Sequence, residues 1–171
     1  MSDISDFSGT VQTAAAHEYL TAAAASTGIR RVRETGLRMW GVGPGDRLLD
    51  AGCGNGEVAR ELAALLPGAD VVALDHSADA VTAASKLDDG TPVTYQVGDV
   101  YSLPYPDGHF DGVRTERVLQ HLDDPDRAVA ELARVLRPGG RMCLIDTDWP
   151  SLLYDGSPEN FHDRAIALLT D

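Results

Sequence analysis

An α/β fold, with a mostly parallel sheet held between two layers of helices, is what this sequence predicts, and three observations predict it. Strand-like and helix-like stretches alternate from Arg47 onward, the pattern of a parallel sheet whose crossovers are helices. An apolar strand, Leu48-Leu49-Asp50-Ala51, runs straight into a turn with glycines at 52, 54 and 56. The next apolar stretch ends on an acid, Val71-Val72-Ala73-Leu74-Asp75.

The elements follow in order. Residues 1–12 are polar and pattern-free, which predicts a loose arm able to order over a ligand. Ala14 to Ala25 is rich in helix formers. Ser26, Thr27 and Gly28 interrupt it, and Ile29 to Trp40 resumes the helix with Ile29, Val32, Leu37 and Trp40 near one face. Gly43-Pro44-Gly45 turns the chain into the sheet. Strands are expected at 47–51, 70–74, 92–97, 110–115 and 141–146, and helices at 56–65, 77–87 and 125–136. Pro138-Gly139-Gly140 should close the last of these helices and lead directly into the last strand. Pro158 to Thr170 reads as a further helix.

A chain of 171 residues fits one domain, large enough to bury roughly two thirds of its unfolded surface. With 27 acidic against 14 basic residues the net charge is -13, which repels a phosphate backbone and argues against a nucleic-acid substrate. Arg30, Arg31, Arg33 and Arg38 form the basic cluster and read as a solvated helix face. No run approaches the ~20 apolar residues of a membrane helix. Met1 to Thr10 carries two Asp and no basic residue, so no secretory leader is expected and a cytoplasmic location is. Cys53 and Cys143 read as small buried thiols. No His, Cys and carboxylate spacing suits a metal, so a metal-independent reaction is expected.

Glycines at 52, 54 and 56 remove the side chains that would keep a ligand from the main chain at the end of the first strand. The helix that follows offers free N–H groups to a negatively charged group. A dinucleotide fingerprint would need glycine at 57, where Glu57 stands, and no phosphate-binding lysine follows the turn. The pattern is instead D-x-G-x-G-x-G with an acid ending the second strand, since Asp75 can accept both hydroxyls of a ribose. Asp99, after the third strand, can accept from an exocyclic adenine amine.

These residues resemble the class I S-adenosylmethionine-dependent methyltransferases, especially the small-molecule group related to ubiquinone and menaquinone biosynthesis. The landmarks are the glycine turn, Asp75, Gly98-Asp99 with Leu103-Pro104-Tyr105-Pro106-Asp107, Phe110-Asp111-Gly112-Val113, Glu116 to Leu122, and Leu136-Arg137-Pro138-Gly139-Gly140. The resemblance implies a Rossmann-like three-layer sandwich, with the last two strands of the family sheet lacking here. It implies a cofactor, S-adenosylmethionine, with S-adenosylhomocysteine as product. Asp50, Ala51, Gly52, Gly54, Asn55 and Gly56 would serve the methionine end and turn, Asp75, His76 and Ser77 the ribose side, Asp99 and Val100 the adenine edge, and Glu116 and Arg117 the methionine moiety. The organisation it implies is a helical cap over 1–40, a cofactor-binding core over 41–150 and a C-terminal helix over 151–171 that meets substrate or a partner.

An acceptor hydroxyl or amine needs a base, and a histidine suits proton transfer near neutral pH. His121 is the candidate, a few residues past the fourth strand. A helix-start histidine bonded to Asp123-Asp124-Pro125 is the competing reading. His17 and Tyr19 are lid candidates, while His109 and His162 read as surface residues. Asp146 and Asp148 end the last strand, where they orient an acceptor or cap the turn before Pro150. The expected partner is a small-molecule acceptor, with no nucleic acid and no membrane. The open edge of the last strand calls for a second subunit or further elements of a longer protein. Two rivals stand beside methyl transfer: a truncated or degenerate cofactor-binding module, and a non-methylating enzyme such as a cyclase on the same fold.

Overall fold

The computed structural model describes residues 27–87 and 90–146. Its elements are α1 (Thr27–Trp40), β1 (Arg47–Ala51), α2 (Glu57–Leu65), β2 (Asp70–Asp75), α3 (Ala78–Lys86), β3 (Val93–Val97), β4 (Phe110–Glu116), a 3-10 turn (Leu119–His121), α4 (Pro125–Val135) and β5 (Leu136–Ile145). The expected arm at 1–12 and the expected helices at 14–25 and 158–170 lie outside the described residues.

All five strands are parallel, in the order β3-β2-β1-β4-β5. This is the predicted Rossmann-like class, with five strands in the described region against the seven that the resemblance implies. Leu48 and Leu49 of β1 and Val71 to Leu74 of β2 form continuous apolar runs, as strands covered by helices on both faces require. On one face Leu48, Val71 and Ala73 pack against Ala59, Leu62 and Ala63 of α2 and Trp40 of α1. On the other, Leu49, Val72, Leu74 and Val113 meet Ala128, Leu132 and Val135 of α4. Each large aliphatic side chain buried this way contributes about 1.5–3 kcal/mol.

Two expectations need correction. The buried stripe of α1 is Arg33, Gly36, Leu37 and Trp40, at helical spacing, while Val32 is 55% exposed. Arg33 is therefore not part of a solvated face: only 4% of it is exposed. Gly36 lets α1 lie against β5, since a Cβ there would sit 2.9 Å from Ile145 Cδ1, and Trp40 Nε1 donates to the Arg141 carbonyl at 2.8 Å.

The second correction concerns the last strand, which begins directly after α4 at Leu136. Phe110 pairs with Leu136 and Gly112 with Arg141, so Arg137 to Gly140 bulge within a paired segment. Gly139, at φ 77, supplies the bend. Among the described residues β5 pairs only with β4. Beside it an open groove of about 630 Å³ between α1 and β5 exposes Val32, Met39 and Leu144.

Asp111 ties the amino-terminal ends of three elements together. Its Oδ2 accepts the Arg47 backbone N–H at 2.8 Å and its Oδ1 accepts from Arg137 Nε. These contacts, the Arg47 N–H first, hold the carboxyl below its usual range. A depressed folded value means stability that is present above the ordinary aspartate value near 4 and is lost as pH falls through the lower one. Asp111→Asn should therefore cost about 1–2 kcal/mol at pH 7. In urea titrations its difference from wild type should close below about pH 4.

Candidate functional site

The chain moves outward from β1 through β2 to β3, then crosses back to set β4 on the other side of β1. In an open parallel sheet a ligand crevice forms at such a reversal, outside the carboxyl ends of the strands. Here those ends are Ala51 and Glu116.

β1 leads into the turn Gly52-Cys53-Gly54-Asn55-Gly56. The Gly52 and Cys53 N–H groups both donate to the Leu74 carbonyl, at 2.7 and 3.0 Å, and Gly54 N–H donates to Asp75 Oδ2 at 2.8 Å. Gly52, Gly54 and Gly56 have φ values of 77, 52 and 72, a region costing other L-residues about 1–2 kcal/mol. At Gly52 space is decisive too, because a Cβ would sit 2.3 Å from Val118 Cγ2. At Gly56 it would lie 2.7 Å from Tyr95 Cε1. Asn55 Oδ1 accepts the Glu57 N–H at 3.1 Å, so that side chain finishes the start of α2.

Asp75 is only 7% exposed. Its Oδ1 accepts from Ser77 N–H at 2.9 Å, and the exposed His76 ring places Nδ1 3.3 Å from the same oxygen. Each carboxylate oxygen accepts two hydrogen bonds. Asp75 thus keeps capacity on Oδ2, and on Oδ1 whenever the His76 ring turns away. The Ser77 hydroxyl caps α3 by accepting from Ala80 N–H at 3.2 Å. Beyond β3, exposed Asp99 accepts the Tyr101 N–H at 2.8 Å and Val100 is buried. Tyr101 in turn accepts the Asp124 N–H at 3.0 Å, which ties this loop to the start of α4.

Asp50 and Glu116 border the opposite lip and are both buried, with side chains 4% and 7% exposed. Glu116 accepts from Arg33 Nε and Nη2 at 3.0 and 2.9 Å, and from Arg114 Nη2 at 2.7 Å. Burial alone would push its carboxyl up, but the two arginines outweigh that and hold it below the usual range. Asp50 lies 3.8 Å from Arg114 Nε. Burial drives its carboxyl up, with Arg114 only partly offsetting it. Neither arginine carries a signal in a motif reading, because Arg33 precedes the sheet and is 83 residues from its partner.

Arg117 follows, the one non-glycine residue with positive φ among the described residues, and its N–H donates to the Ile145 carbonyl at 2.7 Å. His121 ends the exposed 3-10 turn, with Nε2 2.9 Å from Gln120 Nε2. Asp146 accepts the N–H groups of Leu119 and Gln120 at 3.3 and 3.5 Å and so caps the turn that carries it. Asp124 caps α4 by accepting the Arg127 N–H at 3.1 Å. His17, Tyr19, Asp148 and His162 lie outside the described residues. His109 is half-buried at the surface, where it stacks on Tyr105 and meets Phe110 edge-on. Cys53 sits in the turn rather than in a strand, yet it is buried, and burial pushes its thiol far above the ordinary value. Cys143 is half-buried and shifted the same way. Both thiols are free.

The fold is a Rossmann-like α/β sheet with a crevice at the carboxyl ends of β1 and β4. Residues 49–144 match the model of the methyltransferase domain family, and the chain belongs to that family. A ubiquinone/menaquinone biosynthesis C-methyltransferase of Pseudomonas paraeruginosa is 33% identical over 132 residues, covering 74% of this chain and 52% of the relative. Among solved structures, the [4+2]-cyclase SpnF aligns with TM-score 0.62 at 31% identity, covering 67% of this chain and 43% of that one. The chain bound to the Trm112 methyltransferase activator of Haloferax volcanii aligns with TM-score 0.60 at 31% identity, covering 64% and 49%. The chain spans about half the length of these proteins.

If shape and space both require glycine at 52, Gly52→Ala should lower stability by about 2 kcal/mol or more. Adding Val118→Ala should relieve the clash and leave about 1 kcal/mol of backbone strain. Denaturant melts of the two single variants and the double variant separate these contributions.

Proposed function

We propose that the crevice binds S-adenosylmethionine and that this chain forms the cofactor-binding part of an enzyme methylating a small-molecule acceptor. The observation that carries this reading is the bare turn at Gly52, Gly54 and Gly56, cross-linked to Asp75 through the Gly54 N–H. At Gly54 a Cβ would meet no protein atom, so the main chain there is open to close approach by a ligand, while Gly52 and Gly56 are required by the packing of Val118 and Tyr95 against the turn. Asp75 is suited to accept ribose hydroxyls, the loop at Asp99 and Val100 to meet the adenine edge, and Glu116 and Asp50 to face the methionine end.

The sulfonium of the bound cofactor supplies an already activated methyl group, so the protein's task is alignment and exclusion of water. His121 is our candidate base for an acceptor hydroxyl or amine, a reading supported by the turn that carries it being capped by Asp146. The edge of β5 that is unpaired among the described residues, and the apolar groove beside it, are where further elements of a longer protein, or a second subunit, would pair. A second reading, cofactor binding without methyl transfer, is favoured by the likeness to a cyclase. Among the described residues no helix is long and apolar enough to cross a membrane.

S-adenosylhomocysteine at about 100 times its dissociation constant should add about 2.7 kcal/mol to stability, raising the melting temperature by roughly 5–10 °C. Asp75→Ala should remove most of that shift. A wild-type melt that does not respond at millimolar ligand would refute the reading. Release of S-adenosylhomocysteine from labelled donor, falling about a hundredfold or more in His121→Ala, separates methyl transfer from binding alone.

A further inference from the structure

Arg33 is the charged side chain on the buried stripe of α1, and it reaches both lips of the crevice. Its Nε and Nη2 donate to Glu116 Oε2 and Oε1 at 3.0 and 2.9 Å, while Nη1 lies 3.5 Å from Oε1 of Glu57. Glu116 ends β4, and Glu57 opens the helix that follows the glycine turn. A single guanidinium therefore spans the two elements whose separation sets the mouth of the site.

The same contacts define what Glu116 has left to offer. Oε2 holds two donors, Arg33 Nε and Arg114 Nη2, and Oε1 holds one. With two acceptor sites per oxygen, one remains, on Oε1. A planar guanidinium bound through two nitrogens fixes the plane of the carboxylate, which a single point contact does not. The direction of the remaining acceptor site is thus set by Arg33. Arg114 cannot set it alone, because it touches only Oε2 and its Nε lies toward Asp50.

We infer that Arg33 is a positioning residue for the amino-acid end of the cofactor, aiming the remaining acceptor site of Glu116 at the ammonium group and tying β4 to the start of α2. The inference rests on the cofactor reading proposed above, since it presumes an ammonium group in this crevice. It assigns α1 a part in ligand selection, beyond covering the sheet.

Calorimetric titration of the whole chain with two ligands tests it: S-adenosylhomocysteine, and 5′-methylthioadenosine, which has the nucleoside but no amino-acid end. Arg33→Met should weaken S-adenosylhomocysteine by about tenfold or more and leave 5′-methylthioadenosine within about twofold. Arg33→Lys, which keeps the charge but not the two-point grip, should fall between. Equal losses for both ligands would mean a purely structural arginine, and no loss for either would mean an irrelevant one; each overturns the inference. Should Arg33→Met fail to fold, the ratio of the two affinities in Arg33→Lys decides in the same way. A wild-type chain that binds neither ligand overturns the cofactor reading and the inference with it, whereas wild-type binding with an unchanged ratio in the variants overturns the inference alone.

Discussion

The bend after β1 keeps its shape because the end of β2 holds it there. Leu74 offers one carbonyl to two consecutive N–H groups of the turn, and Asp75 offers a carboxylate oxygen to a third. Both residues reach the turn only because β1 and β2 pair with Ala51 opposite Leu74. A slip of one residue would turn Asp75 to the other face of the sheet. The end of β3 depends on the same two residues: Gly98 N–H donates to the Asp75 carbonyl, and a Cβ at Gly98 would strike Leu74 Cδ1 at 2.6 Å. Three strand ends and the glycine turn thus converge on one dipeptide.

What could be read from the sequence follows from how local each signal is. The strand at Arg47–Ala51 and the helix after the glycine turn are set by apolar periodicity and by glycines a few residues apart, and both appear within a residue of where the pattern puts them. Asp75 is legible for the same reason, as an acid closing an apolar run. Arg33 was not, because an arginine at helical spacing looks like every other solvated arginine until the strand it faces is in place. Its value comes from Glu116, which topology brings within 3 Å across 83 positions. The start of β5 is hidden in the sequence for a related reason. Pro138-Gly139-Gly140 has the chemistry of a turn, but Leu136 had already paired with Phe110, and pairing outweighs local preference.

The loops around the crevice are held by contacts no motif encodes. Tyr101 accepts from the backbone of Asp124 and carries the Arg127 guanidinium 4.9 Å above its ring, so the loop after β3 is tied to the start of α4. Asp146, at the end of β5, captures the 3-10 turn that bears His121. The loop after β3 is in this way joined to the start of α4, and the turn after β4 to the end of the last strand, by side chain to backbone bonds. Such bonds fix orientation at little cost, because they satisfy backbone groups that helix and turn ends leave unpaired.

The two buried acids of the crevice lie in the same ion cluster yet respond to burial in opposite ways. Glu116 receives three charged donors and is held below its ordinary value despite burial. Asp50 has a guanidinium nearby but at 3.8 Å, and burial raises it. A raised folded value works against stability as pH climbs through it, so Asp50 is a burden on the fold where Glu116 is a support. Arg114 shows the same incompleteness, for its Nε and Nη1 are buried without hydrogen-bond partners. Buried polar groups are ordinarily satisfied, and unsatisfied ones cost about 1–3 kcal/mol each. A sheet built for stability alone would carry apolar residues at these positions. Asp50 lies one residue and Arg114 two residues inside the carboxyl ends of their strands, so these incompletely bonded groups sit beside the glycine turn and not in the middle of the sheet.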